Sequence, residues 1–289
     1  MADQKKAYLL VAIAIFFWST VATVFKLTLN QIDHYQLVFY ASFSSFLVLF
    51  AIVLYQKKFR AFYRAGTGGI AHAALTGLIN PLFYYLILFK AYDILPAQEA
   101  LPLNWTWPLV LSVMSVPFLG QKLPKKVLFA LVISFCGVVV IATRGDITGM
   151  KFENPLGVGL AAGSSVIWAG YWILNLRDKR EPLIKLSRCF FFGTVYGFVI
   201  MTVFSDRPFP ELWPLAGAFY VGLFEMGITF LIWFKALSYA RTSASIAIYS
   251  NLTPFISLVF IHFVVREEIL ISSLIGLTLI IGGILISRE

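Results

Sequence analysis

The chain has 289 residues, of which 60% are hydrophobic and only 13% are charged. Soluble domains are usually about 25% charged, so the composition excludes a soluble enzyme or binding domain and predicts a polytopic helical membrane protein. The net charge of +9 comes from Lys and Arg residues spread over short loops, which argues against a nucleic-acid-binding patch.

Ten apolar segments are long enough to be predicted as membrane-spanning helices. The hydrocarbon core of a bilayer is about 30 Å thick, and a helix needs roughly 20 apolar residues to cross it. The first segment follows Lys5 and Lys6, but it is too long for a signal peptide and lacks a small-residue cleavage site, so we expect a retained helix. The segments leave no room for a soluble domain and lie at 7–29, 34–54, 68–91, 95–118, 125–142, 155–175, 187–204, 212–235, 242–265 and 268–286.

The distribution of Lys and Arg predicts the orientation of these helices. If the chain starts in the cytoplasm, fifteen of its 23 Lys and Arg residues lie in cytoplasmic segments, and only Arg144, Lys151, Arg207 and Arg266 lie in outer ones. Cytoplasmic loops of membrane proteins carry such an excess of positive charge. We therefore expect both termini in the cytoplasm and the protein in a bacterial inner membrane.

The second half of the chain repeats features of the first half. Gly-Leu-Ile-Asn at 77–80 and Phe-Lys-Ala at 89–91 match Gly-Leu-Phe-Glu at 222–225 and Phe-Lys-Ala at 234–236. Two halves, 1–145 and 146–289, each with five helices, must lie inverted relative to each other in the membrane. Inverted repeats are typical of secondary transporters, whose substrate site lies near the midplane where the halves meet.

One acidic residue, Glu225, lies inside the predicted span 212–235 with no other charge in the interior of that apolar run. An acidic residue at the centre of a bilayer costs about 2.5–3.5 kcal/mol on insertion scales, so such groups usually face a wet cavity and mark an ion or substrate pathway. Desolvation favours the neutral form of a carboxyl group, which would let Glu225 exchange a proton for substrate. The alternative is a structural Glu that is hydrogen-bonded to a neighbouring helix.

Several weak motifs together indicate a family. They are the ten spans, the duplicated five-helix unit, Ala-Leu-x-Tyr-Ala at 236–240, Pro254, and Arg-Glu-Glu at 266–268 before a glycine-rich last span. With these features the chain resembles the drug/metabolite transporter superfamily, specifically its EamA-like branch. It departs from the family at 120–122, where Gly-Gln-Lys replaces the frequent Gly-Glu-Arg.

The resemblance implies an all-α membrane protein with ten transmembrane helices built from two inverted five-helix repeats. It also implies a carrier of small metabolites, commonly an exporter, with a cavity lined by spans 1, 3, 4, 6, 8 and 9.

Helix periodicity selects the other candidate residues, because residues three or four apart share a helix face. Asn80 and Tyr84 share such a face in span 3, and the repeat places Asn80 in correspondence with Glu225. Asn80 has an alternative role, which is to cap the kink before Pro81. The remaining substrate or coupling candidates are Trp18, Lys26, Asn104, Trp168, Tyr171 and Asn251.

These candidates also have plain structural alternatives. The tryptophans could simply pack in the bundle, and the asparagines could satisfy backbone carbonyls freed near Pro108 and Pro254. Lys26 could extend toward the outer surface. If it turns inward instead, it could bind a substrate carboxylate or hold Glu225 ionised.

The polar groups are of mixed type, which favours a secondary transporter that exports a small polar metabolite such as an amino acid. Alternating access would be coupled to protons through Glu225. One alternative is a multidrug or cationic-compound exporter, since a carboxylate among aromatic rings suits cations; an inward-facing Lys26 would weaken it. Another is a substrate exchanger that moves no proton.

A membrane enzyme or receptor is disfavoured, because the sequence contains no nucleophile motif such as Gly-x-Ser-x-Gly. No spacing of His or Cys residues suits a metal. We therefore expect no cofactor and no metal. The expected partners are a small-molecule substrate, the lipid bilayer and, under coupling, protons, with the chain acting as a monomer or weak dimer.

The orientation can be tested directly. A reporter fused to either terminus should be detected in the cytoplasm, and a cysteine introduced at Asp146 should react with an impermeant reagent from outside. Opposite sidedness of the two termini would contradict the count of ten spans.

Overall fold

The structure is a computed structural model, which describes residues 3–64, 66–120, 125–146, 154–178, 180–206, 209–240 and 248–288. Within these ranges every regular element is a helix, as predicted. A 3₁₀ turn at Ile248–Leu252 precedes the helix Thr253–Phe260, and a π turn at Ile261–Val265 follows that helix. The helices are α1 Gln4–Leu29, α2 His34–Tyr55, α3 Phe59–Tyr63, α4 Thr67–Ile94, α5 Ala97–Asn104, α6 Trp107–Leu119, α7 Lys125–Ala142, α8 Pro155–Arg177, α9 Pro182–Phe204, α10 Leu212–Tyr239, α11 Thr253–Phe260 and α12 Ile271–Arg288.

Six helices of the described chain, α1, α2, α4, α8, α9 and α10, are each long and apolar enough to cross a membrane. Shorter apolar helices cover Leu128–Ala142, Tyr249–Val265 and Ile271–Ile286. The predicted span 95–118 is interrupted between α5 and α6. Residues 242–247 of the predicted ninth span and the loop residues Lys122 and Lys151 lie outside the described ranges. The count of ten spans therefore stays a prediction.

Polar side chains define where several of the long helices begin. Asp33 and Gln36 form a reciprocal cap at the start of α2: the backbone N–H of Gln36 donates to Asp33 at 2.8 Å, and that of Asp33 donates to Gln36 at 3.1 Å. The Asn154 side chain accepts from Gly157 N–H at 2.9 Å at the start of α8. Such a cap stabilises a helix by about 1 kcal/mol because it satisfies an unpaired backbone N–H.

Helices α4 and α10 each contain 28 residues, and both are interrupted by a π-helical segment near the middle. The segments are Leu78–Phe83 and Gly222–Gly227, and they carry Asn80 and Glu225. In α4 the cause is Pro81, which has no N–H to donate and restricts the residue before it; Asn80 accordingly has an extended backbone with φ −144° and ψ 120°. A π turn leaves carbonyl groups available to side chains from other helices.

Close packing between helices depends on small residues. The main pairs are α7 with α12, α2 with α9, and α1 with α10. Gly137 lies where α7 crosses α12, and a Cβ atom there would come within 2.6 Å of the Gly276 carbonyl oxygen. In a membrane, helix association relies on such van der Waals contact, because lipid is as apolar as the side chains.

The α7–α12 contact therefore predicts an asymmetric effect of two alanine substitutions. Gly137→Ala should destabilise the protein by about 1–3 kcal/mol through overpacking. Gly282→Ala in α12 should not, since no atom lies within 4 Å of the position of its Cβ. Thermal unfolding of both variants in detergent tests this, and equal melting temperatures would contradict the packing described.

Candidate functional site

A cavity of about 130 Å³, counted as the space open to the centres of water-sized spheres, lies in the middle of the bundle. One water needs roughly 10–15 Å³ on this measure, so the cavity has room for several waters or a small organic molecule. Ten of the seventeen residues in its wall are aromatic. The wall consists of Trp18, Val21, Ala22, Phe25, Tyr84, Leu88, Tyr92, Leu101, Asn104, Trp105, Trp107, Trp168, Trp172, Glu225, Phe230, Trp233 and Ser250.

The wall is built from α1, α4, α5, α6, α8 and α10, with Ser250 in the 3₁₀ turn before α11. These elements correspond to spans 1, 3, 4, 6, 8 and 9 of the sequence, the set that the resemblance implies. Five predicted site residues lie in the wall: Glu225, Trp18, Tyr84, Asn104 and Trp168.

Glu225 is the charged residue of this wall. The Tyr85 hydroxyl donates to its carboxylate at 3.1 Å, and Tyr85 itself is fully buried. The indole N–H of Trp18 donates to the Glu225 backbone carbonyl at 3.4 Å. This second contact is made within the π turn Gly222–Gly227, where the regular α-helical hydrogen-bond pattern of α10 is interrupted.

A second group of wall residues forms a connected polar and aromatic cluster. The Tyr84 hydroxyl donates to Asn104 Oδ1 at 3.3 Å, and Asn104 Nδ2 donates to Ser164 Oγ at 2.8 Å. The Tyr84 ring stacks on Trp168 with centroids 4.7 Å apart. The Phe230 ring also contacts Trp168, with centroids 5.8 Å apart. The Asn104 amide therefore has partners at both of its ends.

Asn80 and Asn251 lie outside the cavity wall. Asn80 is fully buried and Asn251 is 5% exposed, and neither amide has a hydrogen-bond partner among the described residues. The Asn80 carbonyl accepts from Cys189 Sγ at 2.9 Å. The proline after Asn80 explains its placement, since the extended backbone directs its side chain off the face that carries Tyr84.

Tyr171 also lies outside the main wall. Its ring stacks on Trp168 with centroids 5.5 Å apart. It lines a smaller polar pocket toward the C-terminal end of α8, together with Asn175, Asp178 and Arg188. Tyr171 thus lies between the aromatic cavity and a charged cluster that also contains Arg180, which donates to Asp178 from two nitrogen atoms at 2.8 and 2.9 Å.

Lys26 does not line the cavity, although its sequence neighbour Phe25 does. Its ammonium group donates to the carbonyl oxygens of Tyr92 and Leu95, each at 2.8 Å. It lines a separate pocket with Asp93, Glu99 and Glu267, among others. The inward orientation considered for Lys26 is not found, because unpaired carbonyls at the C-terminal end of α4 attract its charge.

Sequence reasoning missed several members of the wall. Trp105, Phe230 and Trp233 are among them. It also missed Tyr85, which lies behind the wall and donates to Glu225. Helical periodicity predicts Thr229 on the face of Glu225. The π turn shifts the register, and the fully buried Thr229 hydroxyl donates instead to the Phe224 carbonyl at 2.6 Å.

Among the described residues, no group of three His, Cys, Asp or Glu side chains is arranged to hold a metal ion. The arrangement suits a different chemistry: reversible binding of a small molecule with an aromatic body next to one carboxylate.

Comparison with known proteins identifies a family. The family model described as "EamA-like transporter family" matches residues 5–143 and again 155–288. An uncharacterized transporter of Archaeoglobus fulgidus is 24% identical over 287 residues, which cover 97% of this chain and 96% of that protein.

Two further similarities bear on function and fold. The aromatic amino acid exporter YddG of Ancylobacter novellus is 27% identical over 161 residues, covering 54% of this chain and 55% of that protein. A solved crystal structure aligns with a TM-score of 0.68 at 22% identity, over 98% of this chain and 96% of that one. At this identity the crystal structure shows the fold alone.

The position of Lys26 leads to a prediction. Lys26→Met should lower the melting temperature, because the carbonyls of Tyr92 and Leu95 lose a charged donor, a contact that contributes about 1.5–3 kcal/mol. The half-saturation concentration for substrate should stay within about twofold of wild type, since Lys26 lies outside the wall. A large loss of substrate affinity without a loss of stability would contradict this placement.

Proposed function

The chain belongs to the EamA-like transporter family and is an integral membrane protein rather than an enzyme; on that premise we propose that it is a secondary transporter that exports a small aromatic metabolite carrying an amino group. Substrate binds in the central cavity. Glu225 binds the amino group and exchanges it for a proton in the transport cycle.

The single observation that carries this proposal is the position of Glu225. Its carboxylate lies on the wall of a cavity that is otherwise uncharged among its described lining residues, with one hydroxyl donor, Tyr85. A carboxylate in such a setting needs either a proton or a cation for charge balance. Binding of an ammonium group and binding of a proton are therefore mutually exclusive, which is the minimum that exchange requires.

The aromatic wall supports the rest of the substrate assignment. Trp18, Trp168, Phe230 and Trp233 form a connected cluster, in which Trp18 and Trp233 have centroids 5.3 Å apart. Flat rings bind well between such side chains, and cations are attracted to their faces. The name of the Ancylobacter novellus relative, an aromatic amino acid exporter, supports both the aromatic substrate and the outward direction.

We also propose that the halves 1–145 and 146–289 are inverted repeats of five membrane helices each. The support is positional: α4 and α10 begin 145 residues apart, at Thr67 and Leu212, and end 145 residues apart, at Ile94 and Tyr239. Their π segments also correspond. Two repeats would place Asn80 and Glu225 at equivalent positions and make alternating access a rocking of one half against the other.

A multidrug exporter of cations is the second candidate function, and the placement of Lys26 favours it. The outward-directed ammonium group of Lys26 leaves the described wall without a positive charge. An exchanger that moves no proton would use the same site, with Glu225 ionised throughout.

Glu225→Gln tests the coupling mechanism. The amide keeps the shape and a hydrogen bond to Tyr85 but fixes the neutral state. We expect normal folding and loss of substrate accumulation driven by a proton gradient in proteoliposomes. Counterflow exchange should survive. Glu225→Asp should retain partial activity, because the charge is present but withdrawn by one methylene group.

The matched control is Glu211→Gln, an exposed carboxylate immediately before α10, which should accumulate substrate like wild type. If Glu225→Gln accumulates substrate against a gradient as wild type does, Glu225 is not the coupling group. If that variant fails to fold, the structural role of Glu225 is favoured instead.

A further inference from the structure

The charges around the central cavity discriminate between amino acids and amines. Glu225 supplies a negative charge to the wall, and none of the described lining residues supplies a positive one. The ammonium group of Lys26 is bound to two backbone carbonyls, and Lys26 is outside the wall. The carboxylate of a zwitterionic amino acid would thus be buried without a cationic partner, which is costly in a low-dielectric site.

The hydrogen-bonding groups of the wall are also mostly engaged. The Asn104 amide is bonded at both ends, to Tyr84 and Ser164, and the Trp18 indole donates to the Glu225 carbonyl. A carboxylate could obtain little from these groups. Buried charges in proteins are normally paired and hydrogen-bonded.

Two donors of the wall have no partner. The indole N–H groups of Trp105 and Trp172 are buried and find no acceptor among the described residues, and both side chains line the cavity. A buried N–H without an acceptor is costly. Neither N–H is open to the cavity, so an indole ring has to turn before a ligand oxygen can accept from it. A hydroxyl or carbonyl oxygen needs only that hydrogen bond, whereas a carboxylate also needs a cationic partner.

Resting on the proposed function, we infer that the cavity is selective for an aromatic primary amine that carries a neutral hydrogen-bond acceptor and no carboxylate. The ammonium group pairs with Glu225, the ring lies among the tryptophans, and the acceptor receives a hydrogen bond from Trp105 or Trp172. The ligand and Glu225 together then carry no net charge. A zwitterionic amino acid in the same position would leave the pair with a net negative charge.

Four related compounds test this inference in proteoliposomes: tyramine, phenethylamine, tyrosine and phenylalanine. Tyrosine and phenylalanine carry a carboxylate, which tyramine and phenethylamine lack. Tyrosine and tyramine carry a ring hydroxyl, which the other two lack. For wild type we expect a half-saturation concentration at least about tenfold lower for each amine than for the corresponding amino acid, because the amino acid buries a carboxylate that has no cationic partner. Glu225→Gln should remove this preference.

The indoles are tested by the ratio of tyramine to phenethylamine affinity. A hydrogen bond to the ring hydroxyl should favour tyramine by on the order of threefold to tenfold. Trp105→Phe or Trp172→Phe should bring the ratio close to one, while any general loss of packing affects both amines and cancels in the ratio. Trp213→Phe is the control, since Trp213 is 70% exposed and outside the wall.

The inference is overturned if tyrosine saturates transport at the same or a lower concentration than tyramine, or if tyramine is neither bound nor moved. Either result leaves the proposed function intact when transport of the amino acids still depends on Glu225. The proposed function itself fails in a different way, when Glu225→Gln drives accumulation of every transported compound like wild type. If the ratio of tyramine to phenethylamine affinity is unchanged in both Trp105→Phe and Trp172→Phe, the proposed hydrogen bond between an indole and the ring hydroxyl is overturned.

Discussion

A carboxylate inside a membrane has to be protonated, paired or hydrated, and this constraint on Glu225 organises the centre of the molecule. The Tyr85 hydroxyl donates to it, Trp18 donates to its backbone carbonyl within the π turn, and a cavity keeps its side chain accessible to small molecules. A fully buried, fully bonded Glu would satisfy the same electrostatic requirement but would leave nothing to exchange. The open cavity next to Glu225 is therefore what favours a transport role over a structural one.

Several contacts at the end of the bundle that carries Lys26 join distant parts of the chain. The Glu267 carboxylate accepts from the backbone N–H groups of Ala97 and Gln98 at the start of α5, at 2.9 and 3.2 Å. Lys26 binds the carbonyls at the end of α4, and Arg144 pairs with Glu99 at 2.7 Å. These contacts complement the partial charges of the two helix ends. An opening of the bundle between these elements would have to separate them.

Local composition was sufficient to predict the helical class, the presence of Glu225 in a cavity wall and most of the helix bounds; the role of Glu225 stays a prediction. The match is closest for α4 and α10, whose long apolar runs are broken by one recognisable polar residue each. The direction of side chains beyond a π turn could not be predicted, since one extra residue in a turn rotates the positions of all later side chains around the helix axis. Thr229 is the clearest case, because its hydroxyl donates to the Phe224 carbonyl. The partners of Lys26 are backbone carbonyls, which no residue pattern identifies. The tryptophans of the wall were hard to select because 17% of the chain is aromatic.

The central claim is that substrate and proton compete for the Glu225 carboxyl group. Infrared difference spectroscopy of the reconstituted protein measures this directly, because a protonated carboxyl group has a carbonyl band that the carboxylate lacks. Below the pH at which Glu225 ionises, adding an aromatic amine should bleach one such band in wild type and none in Glu225→Gln. A carboxyl band that is unchanged when the amine is bound, or a bleach of the same size in the variant, would contradict the account.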